Sequence, residues 1–265
     1  MSQAENQAAQ DKYSISTLGR KVFFLYPHSV IRDEMMNNLI MSGFEAYTLH
    51  DQRRAAKILE RFPGSVMFIN IDEGLPEKKW ESYIKSIQEN PRTKDTQLGI
   101  LSYNQDKALM EKYLMELNVP CGYIQLKLGI QESIKIMFNV LQAIEAKGQR
   151  KYIRAFCETE AHATMNYKSG ETLFQGKILN ISSAGAAARF SQFPDIPPNS
   201  IMREVQLNLK GARVLVDAVY LGKRSDDPSI CVMLFNPAKM KPESRQMIHH
   251  FIKQNLQKYI DQLIV

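Results

Sequence analysis

Arg150 and Arg154 stand four residues apart, with Lys151, Tyr152 and Ile153 between them. A guanidinium is a planar fork of donors that grips phosphate oxygens in pairs and lies flat against rings; a lysine ammonium offers neither geometry. Four-residue spacing puts both forks on one face of a helix, or lets a folded-back arm wrap a ligand. About thirty residues on comes Asn180-Ile181-Ser182-Ser183-Ala184-Gly185. On a strand, Asn180 and Ser182 point to the same side. Gly185 permits either a positive φ or a backbone approach too close for a Cβ. Taken singly, the arginines read as solvated linker charges and the second group as a turn. The two together, in this order and at this spacing, form a specific pattern. Lys151, His162, Lys177 and Arg189 are weaker candidates and read as surface, as does the His249-His250 pair.

The charge balance points the same way. The chain has 265 residues and a formal net charge of +6. Residues 1–149 hold 18 basic and 18 acidic side chains, whereas residues 150–265 hold 16 and 10, so the whole excess lies in the last 116 residues. That favours an anionic partner. No long Lys/Arg cluster, helix-turn-helix or RNA-binding signature is present, so the expected partner is a compact phosphate-bearing ligand and not nucleic acid. No apolar run reaches the roughly 18–20 residues of a membrane span, so no membrane insertion is expected. The N-terminus lacks the apolar core of a secretory signal, and Cys121, Cys157 and Cys231 lack metal or redox spacing. A cytoplasmic protein with reduced thiols is expected. With no Ser/His/Asp set, metal-ligand cluster or Gly-rich nucleotide loop, the expectation is of no catalytic residue, no metal, no cofactor and no enzyme activity.

Hydrophobic content of 44% and a length of 265 residues suit two domains with real cores. Residues 1–19 are polar and aperiodic, read as a flexible tail. Residues 20–147 alternate strand and helix: strands at 21–27, 44–50, 65–72, 98–103 and 122–127, and helices at 29–42 (capped by Ser29, with Val30, Met35, Leu39 and Ile40 inward), 52–62, around Trp80–Ile87, 108–117 and 130–147. This series predicts a doubly wound, five-stranded parallel sheet. Residues 148–154 form the linker and ligand arm. Residues 155–265 change period: strands at 154–167, 172–182, 185–191, 201–209, 212–224 and 229–236 predict a six-stranded antiparallel β-barrel. Hairpin turns are expected at 168–171 and 210–211. Pro242 then opens a closing C-terminal helix whose apolar stripe is Ile248, Phe251, Ile252, Leu256, Tyr259, Ile260 and Leu263.

Arg150/Arg154 and Asn180/Ser182/Gly185 resemble the RxxxR and (D/N)xSxxG motifs of PilZ domains, and the resemblance covers residues 150–265, strand order and closing helix included. It implies a bacterial second-messenger effector that binds cyclic di-GMP through Arg150, Arg154, Asn180, Ser182 and Gly185 and changes its interdomain arrangement to act on a downstream protein. Each guanine of that ligand offers O6 and N7 to an Arg fork, and each phosphate offers paired oxygens.

Residues 21–147 resemble receiver domains of response regulators. Asp72 ends the third strand at the phosphoacceptor position, with Pro76 four residues on. Ser102 matches the switch Ser/Thr, and Lys127 falls near the fifth-strand Lys, although that strand reads one residue long. Where receivers carry an acidic pair to hold Mg²⁺, this chain has Tyr26 and Pro27. A single carboxylate beside Glu73 is a poor Mg²⁺ cage, and phosphoryl transfer needs such a cation. Asp72 is therefore expected to be inactive in a pseudo-receiver. The alternative is a phosphorylation-regulated response regulator that uses the barrel as an output or docking module.

Overall fold

The computed structural model describes residues 19–29, 31–158 and 160–263. Val30 and the expected tail, apart from Gly19, lie outside these residues. Two compact units divide at Lys151–Tyr152, the second comprising Tyr152–Asp261.

In the first unit five parallel strands, β1 (Val22–Leu25), β2 (Ala46–Leu49), β3 (Val66–Asn70), β4 (Gln97–Ser102) and β5 (Tyr123–Gln125), pair in the order β2-β1-β3-β4-β5. Every residue of β1 and β3 is buried. That is why both read as unbroken apolar runs and not as alternating ones: helices cover both faces of a parallel sheet. The helices are α1 (a π-helical turn Ile31–Met35 continuing as Met36–Met41), α2 (Gln52–Arg61), α3 (Glu77–Glu89), α4 (Lys107–Glu111 continuing as a π-helical turn Lys112–Glu116) and α5 (Ile130–Ala143). Asp51 caps α2 by accepting from the Arg54 N–H at 2.6 Å, and Gly43, at φ +91°, ends α1.

Helix α5 stops four residues short of its expected end. The Ala146 N–H bonds back to the Leu141 carbonyl and the Glu145 N–H to that of Gln142, with Glu145 at φ +50°. This is a Schellman stop built on a glutamate, a residue that gives no such signal in sequence. The chain beyond turns away to pair Lys147 with Gly19.

In the second unit, strands β7 (Ala163–Ser169), β8 (Thr172–Ser182), β9 (Gly185–Phe190), β10 (Ile201–Leu209), β11 (Ala212–Lys223) and β12 (Ile230–Phe235) close into a six-stranded antiparallel barrel, β8-β7-β10-β11-β12-β9, because β9 pairs with both β12 and β8. Register shifts in β8 after Ile178, in β10 after Met202 and in β11 after Tyr220 bend the strands as closure requires. Lys210 and Gly211 both have positive φ, the signature of a type I′ hairpin turn. The strand expected over 154–167 is two pieces: β6 (Ala155–Phe156), outside the ring and paired with β8, and β7, separated by residues 157–162.

Helix α6 (Pro242–Asp261) begins at Pro242 and packs against β6 and β11. Ile248, Phe251, Ile252, Leu256 and Ile260 are buried, but Tyr259 is half exposed and the buried polar member of the face is Asn255. Glu160 fastens this helix to the barrel. Its carboxylate accepts from Lys258 Nζ at 2.9 Å and lies 3.6 Å from Lys210 Nζ on the β10–β11 turn. The Lys258 hydrogen bond holds the Glu160 carboxyl below its ordinary range. All three cysteines are free and buried, and burial pushes the Cys121 and Cys157 thiols up to about 12. Among the described residues no helix is long and apolar enough to cross a membrane.

Candidate functional site

Strand β6 is only two residues long, yet it decides where Arg154 goes. Its register with β8 sets Ala155 opposite Ile181 and Phe156 opposite Asn180. One step back along the same register, Arg154 falls opposite Ser182. Strand β9 lies on the other side of this stretch of β8, with Ser182 opposite Gly185, Ile181 opposite Ala186 and Asn180 opposite Ala187. Paired residues share a sheet face. Ala155, Ile181, Ala186 and, on β12, Met233 form one fully buried row. The rows on either side must therefore face outward. Arg154, Ser182 and Gly185 make one, and Phe156, Asn180 and Ala187 the other. Arg154 and Phe156 are exposed accordingly and Asn180 is half-buried, whereas Ser182, Gly185 and Ala187 are buried. The extra residue in β8, Leu179, packs with Ala187 and Ile230 and leaves Asn180 and Ser182 in phase with each other.

Ser182 and Gly185 have jobs of their own in the β8–β9 turn. The Ser182 hydroxyl donates to the Gly185 carbonyl and accepts from the Ala184 N–H, both at 3.3 Å. Gly185 does not take a positive φ. A Cβ there would stand 2.2 Å from the Met233 carbonyl oxygen, so a glycine is what lets β9 approach β12. Of the polar motif residues on the barrel, Asn180 and Arg154 lie outside this turn. Arg150 belongs to the first unit, where it is half-buried and outside any helix or strand. Lys177 donates to the Glu158 carbonyl at 2.7 Å, and Arg189 pairs with Asp227 at 3.0 Å, while His162 is exposed. His249 is half-buried, and burial lowers its imidazole pKa, contrary to the solvated position expected.

In the first unit, Asp72 sits just beyond the C-terminal end of β3, at the crevice where strand order reverses and where ligands of doubly wound sheets bind. Both its oxygens are engaged. The Ser102 hydroxyl donates to Oδ1 at 2.5 Å and the Tyr103 N–H to Oδ2 at 2.7 Å. His28 Nε2 stands 3.5 Å from Oδ2, and His28 Nδ1 stands 3.2 Å from Glu73. Tyr26, at φ +52°, turns its ring over Gly74 and edge-on to Trp80 and donates its hydroxyl to Gln52 at 2.6 Å. Lys127 is exposed in a short 3₁₀ turn after β5, and among the described residues it is not paired with Asp72. Among the described residues no three His, Cys, Asp or Glu side chains are grouped to hold a metal ion. Sequence reasoning passed over His28 and Phe156, the first a lone histidine in a loop and the second an apolar residue in an apparent strand.

No protein-family model matches the sequence, and no curated protein matches it. Solved structures match each unit. The PilZ domain of YcgR from Escherichia coli, solved with c-di-GMP, is 11% identical over 43% of this chain and 99% of its own, with a TM-score of 0.36. The K. pneumonia MrkH–c-di-GMP complex is 15% identical over 40% of this chain, with a TM-score of 0.33, and this chain spans about half of it (51%). A signal receiver domain of an HD domain-containing protein from Pseudomonas fluorescens Pf-5 is 16% identical over 49% of this chain and 91% of its own, with a TM-score of 0.40. The neighbours are thus PilZ domains and receivers. At these identities the likeness is one of fold.

Proposed function

We propose that this chain is a second-messenger effector that binds cyclic di-GMP on the outer face of the barrel. Arg150 and Arg154 supply an arm, residues 148–154, and Asn180, Ser182 and Gly185 supply the strand side. The observation that supports the reading is the β6–β8–β9 register, which, continued one residue back from Ala155, carries Arg154 to the Ser182 and Gly185 end of β8 and β9. Two motifs distant in sequence thereby meet on one surface.

The chemistry follows from the donors. A guanidinium can bridge guanine O6 and N7, span two phosphate oxygens or lie on a purine face. Asn180 offers an amide to a base edge. Ser182, already spent on the turn, and Gly185, which brings β9 against β12, hold the floor. The net positive charge of residues 150–265 favours a dianionic ligand. No catalytic role is assigned.

In the same reading, residues 20–147 are a pseudo-receiver that does not take a phosphoryl group at Asp72. Both carboxylate oxygens are already bonded, His28 Nε2 lies 3.5 Å from one of them, and Tyr26 and Pro27 stand where receivers carry the acidic pair that holds Mg²⁺. The arm is also the segment between the pseudo-receiver and the barrel of 155–265. Ordering it on a ligand restricts both, and this change of arrangement is the signal passed to a downstream protein.

Calorimetric titration of the full chain with cyclic di-GMP tests the reading. Saturable binding is expected, and Arg150→Ala and Arg154→Ala should each cost roughly 2–4 kcal/mol. Unchanged affinity in both variants would remove the assigned site.

A further inference from the structure

We infer that Phe156 is the aromatic wall of the nucleotide surface and stacks on a guanine base of the ligand. This rests on the cyclic di-GMP reading above and adds a contact that neither arginine motif supplies.

Phe156 is 67% exposed, more than any other large aromatic side chain among the described residues. A single exposed phenylalanine is ordinary on a protein surface; its register is what singles it out. It stands opposite Asn180 on β8, two residues past Arg154 and on the same outward side. Continuing across the barrel from Asn180, the next residue is Ala187 on β9 and then Val232 on β12. In the adjoining row the residue beside Ser182 is Gly185, and beyond it stands Leu234, 45% exposed. The two β9 positions between the walls are therefore an alanine and a glycine, the two smallest side chains available.

Strands lie about 4.8 Å apart, so from Phe156 to β9 the floor is roughly 10 Å wide; Asn180 stands half-buried on it, while Ser182 and Ala187 are buried in it, Ala187 against Leu179. A purine is flat and offers a π-face on each side and hydrogen-bonding atoms only at its edge. On such a floor its edge meets Asn180, and its face meets the ring that rises beside Asn180. Arg154 comes from the same two-residue strand, so guanidinium and phenyl ring approach the ligand from one side as a pair. Stacking is tolerant of base identity; Phe156 thus supplies affinity, and the edge contacts choose guanine.

The test is titration of the full chain with cyclic di-GMP, comparing wild type, Arg154→Ala, Phe156→Ala and Phe156→Trp. Phe156→Ala should weaken binding roughly 5- to 100-fold, the range found when a base loses its aromatic partner. Phe156→Trp should bind within about threefold of wild type. Its new indole should also be quenched on titration, against the constant background of the buried Trp80. Because Phe156 is exposed, its variants should melt within a few degrees of wild type. If Phe156→Ala binds like wild type while Arg154→Ala does not, and the new indole is not quenched, the stacking role is wrong and the cyclic di-GMP reading survives. If wild type does not bind at all, both fall together.

Discussion

Replacing Gly185 by alanine separates two roles that a ligand-site glycine can have. The φ at this position is not left-handed, so alanine carries no dihedral penalty here. The penalty is steric. The added methyl carbon would stand 2.2 Å from the Met233 carbonyl oxygen and 3.2 Å from Leu234 Cα, all backbone atoms that cannot rotate away. Ordinary contact begins at about 3.4 Å, so β9 and β12 must part by roughly 1 Å at this end. Overpacking of this kind costs about 1–3 kcal/mol, and loosening one or two ladder hydrogen bonds between the strands adds about 0.5–1.5 kcal/mol each. A loss of roughly 2–4 kcal/mol is expected, which for a unit of this size lowers the melting temperature by on the order of 10 °C. The two units need not unfold together, so a single transition cannot be assumed. The only tryptophan, Trp80, reports on the first unit, and barrel melting is best followed by hydrogen exchange of β9 and β12 amides. Exchange there should quicken, with the Trp80 signal unchanged. If Gly185→Ala lost cyclic di-GMP binding while the barrel kept its full stability, the glycine would be serving the ligand's approach alone, and the strand-contact argument would be refuted.

Asp72→Asn should leave cyclic di-GMP affinity unchanged, and wild type treated with acetyl phosphate and Mg²⁺ should show no retarded band on a phosphate-affinity gel. A Mg²⁺-dependent band lost in the mutant would overturn the pseudo-receiver reading. Glu160 gives an acid-sensitive fastening of α6. Its folded pKa lies below the ordinary value of 4.5, so its contribution is complete above that pH and disappears as pH falls through the folded value. The barrel's melting temperature should therefore drop below about pH 4.5. Glu160→Gln should lower it at neutral pH and flatten that acid dependence; an unchanged pH profile would show that the Lys258 contact contributes nothing. His249, shifted below its ordinary value of 6.5 mainly by burial, works in the same direction: the unfolded chain binds more protons below that pH, and His249→Gln should lessen the loss of stability between neutral and mildly acid pH.

The parts of the fold that follow one periodicity could be read from residue types. β1 and β3 are unbroken apolar runs because helices cover both their faces, and Gly211 marks its hairpin because glycine accepts a positive φ at no steric cost. The misses fall where backbone geometry overrode residue type. Glu145 takes the left-handed conformation that glycine usually signals, so α5 ended early. Residues 154–167 alternate well enough to pass for one strand, yet only Ala155–Phe156 pairs with β8 before the chain turns under α6 at Cys157. That break hid the best clue to the surface. A continuous strand makes Phe156 one apolar residue among several, whereas a two-residue strand beside Asn180 leaves its ring in the open. The motif arginines and Asn180 needed no structure to be noticed, because guanidinium and amide chemistry is explicit in the letters. That Gly185 serves strand approach became visible only with Met233 in place, as two alternatives fitted the sequence equally.

The central claim is that cyclic di-GMP is held between the arm and the outward rows of β6, β8 and β9. Amide hydrogen exchange of the full chain, with and without saturating ligand, tests it most directly. Protection is expected in two stretches together, residues 148–156 and residues 180–190, with the Asp72 and Tyr103 region unchanged. Protection of 180–190 alone, with 148–156 still exchanging freely, would show that the arm is not the switch. Protection in neither stretch would contradict the account.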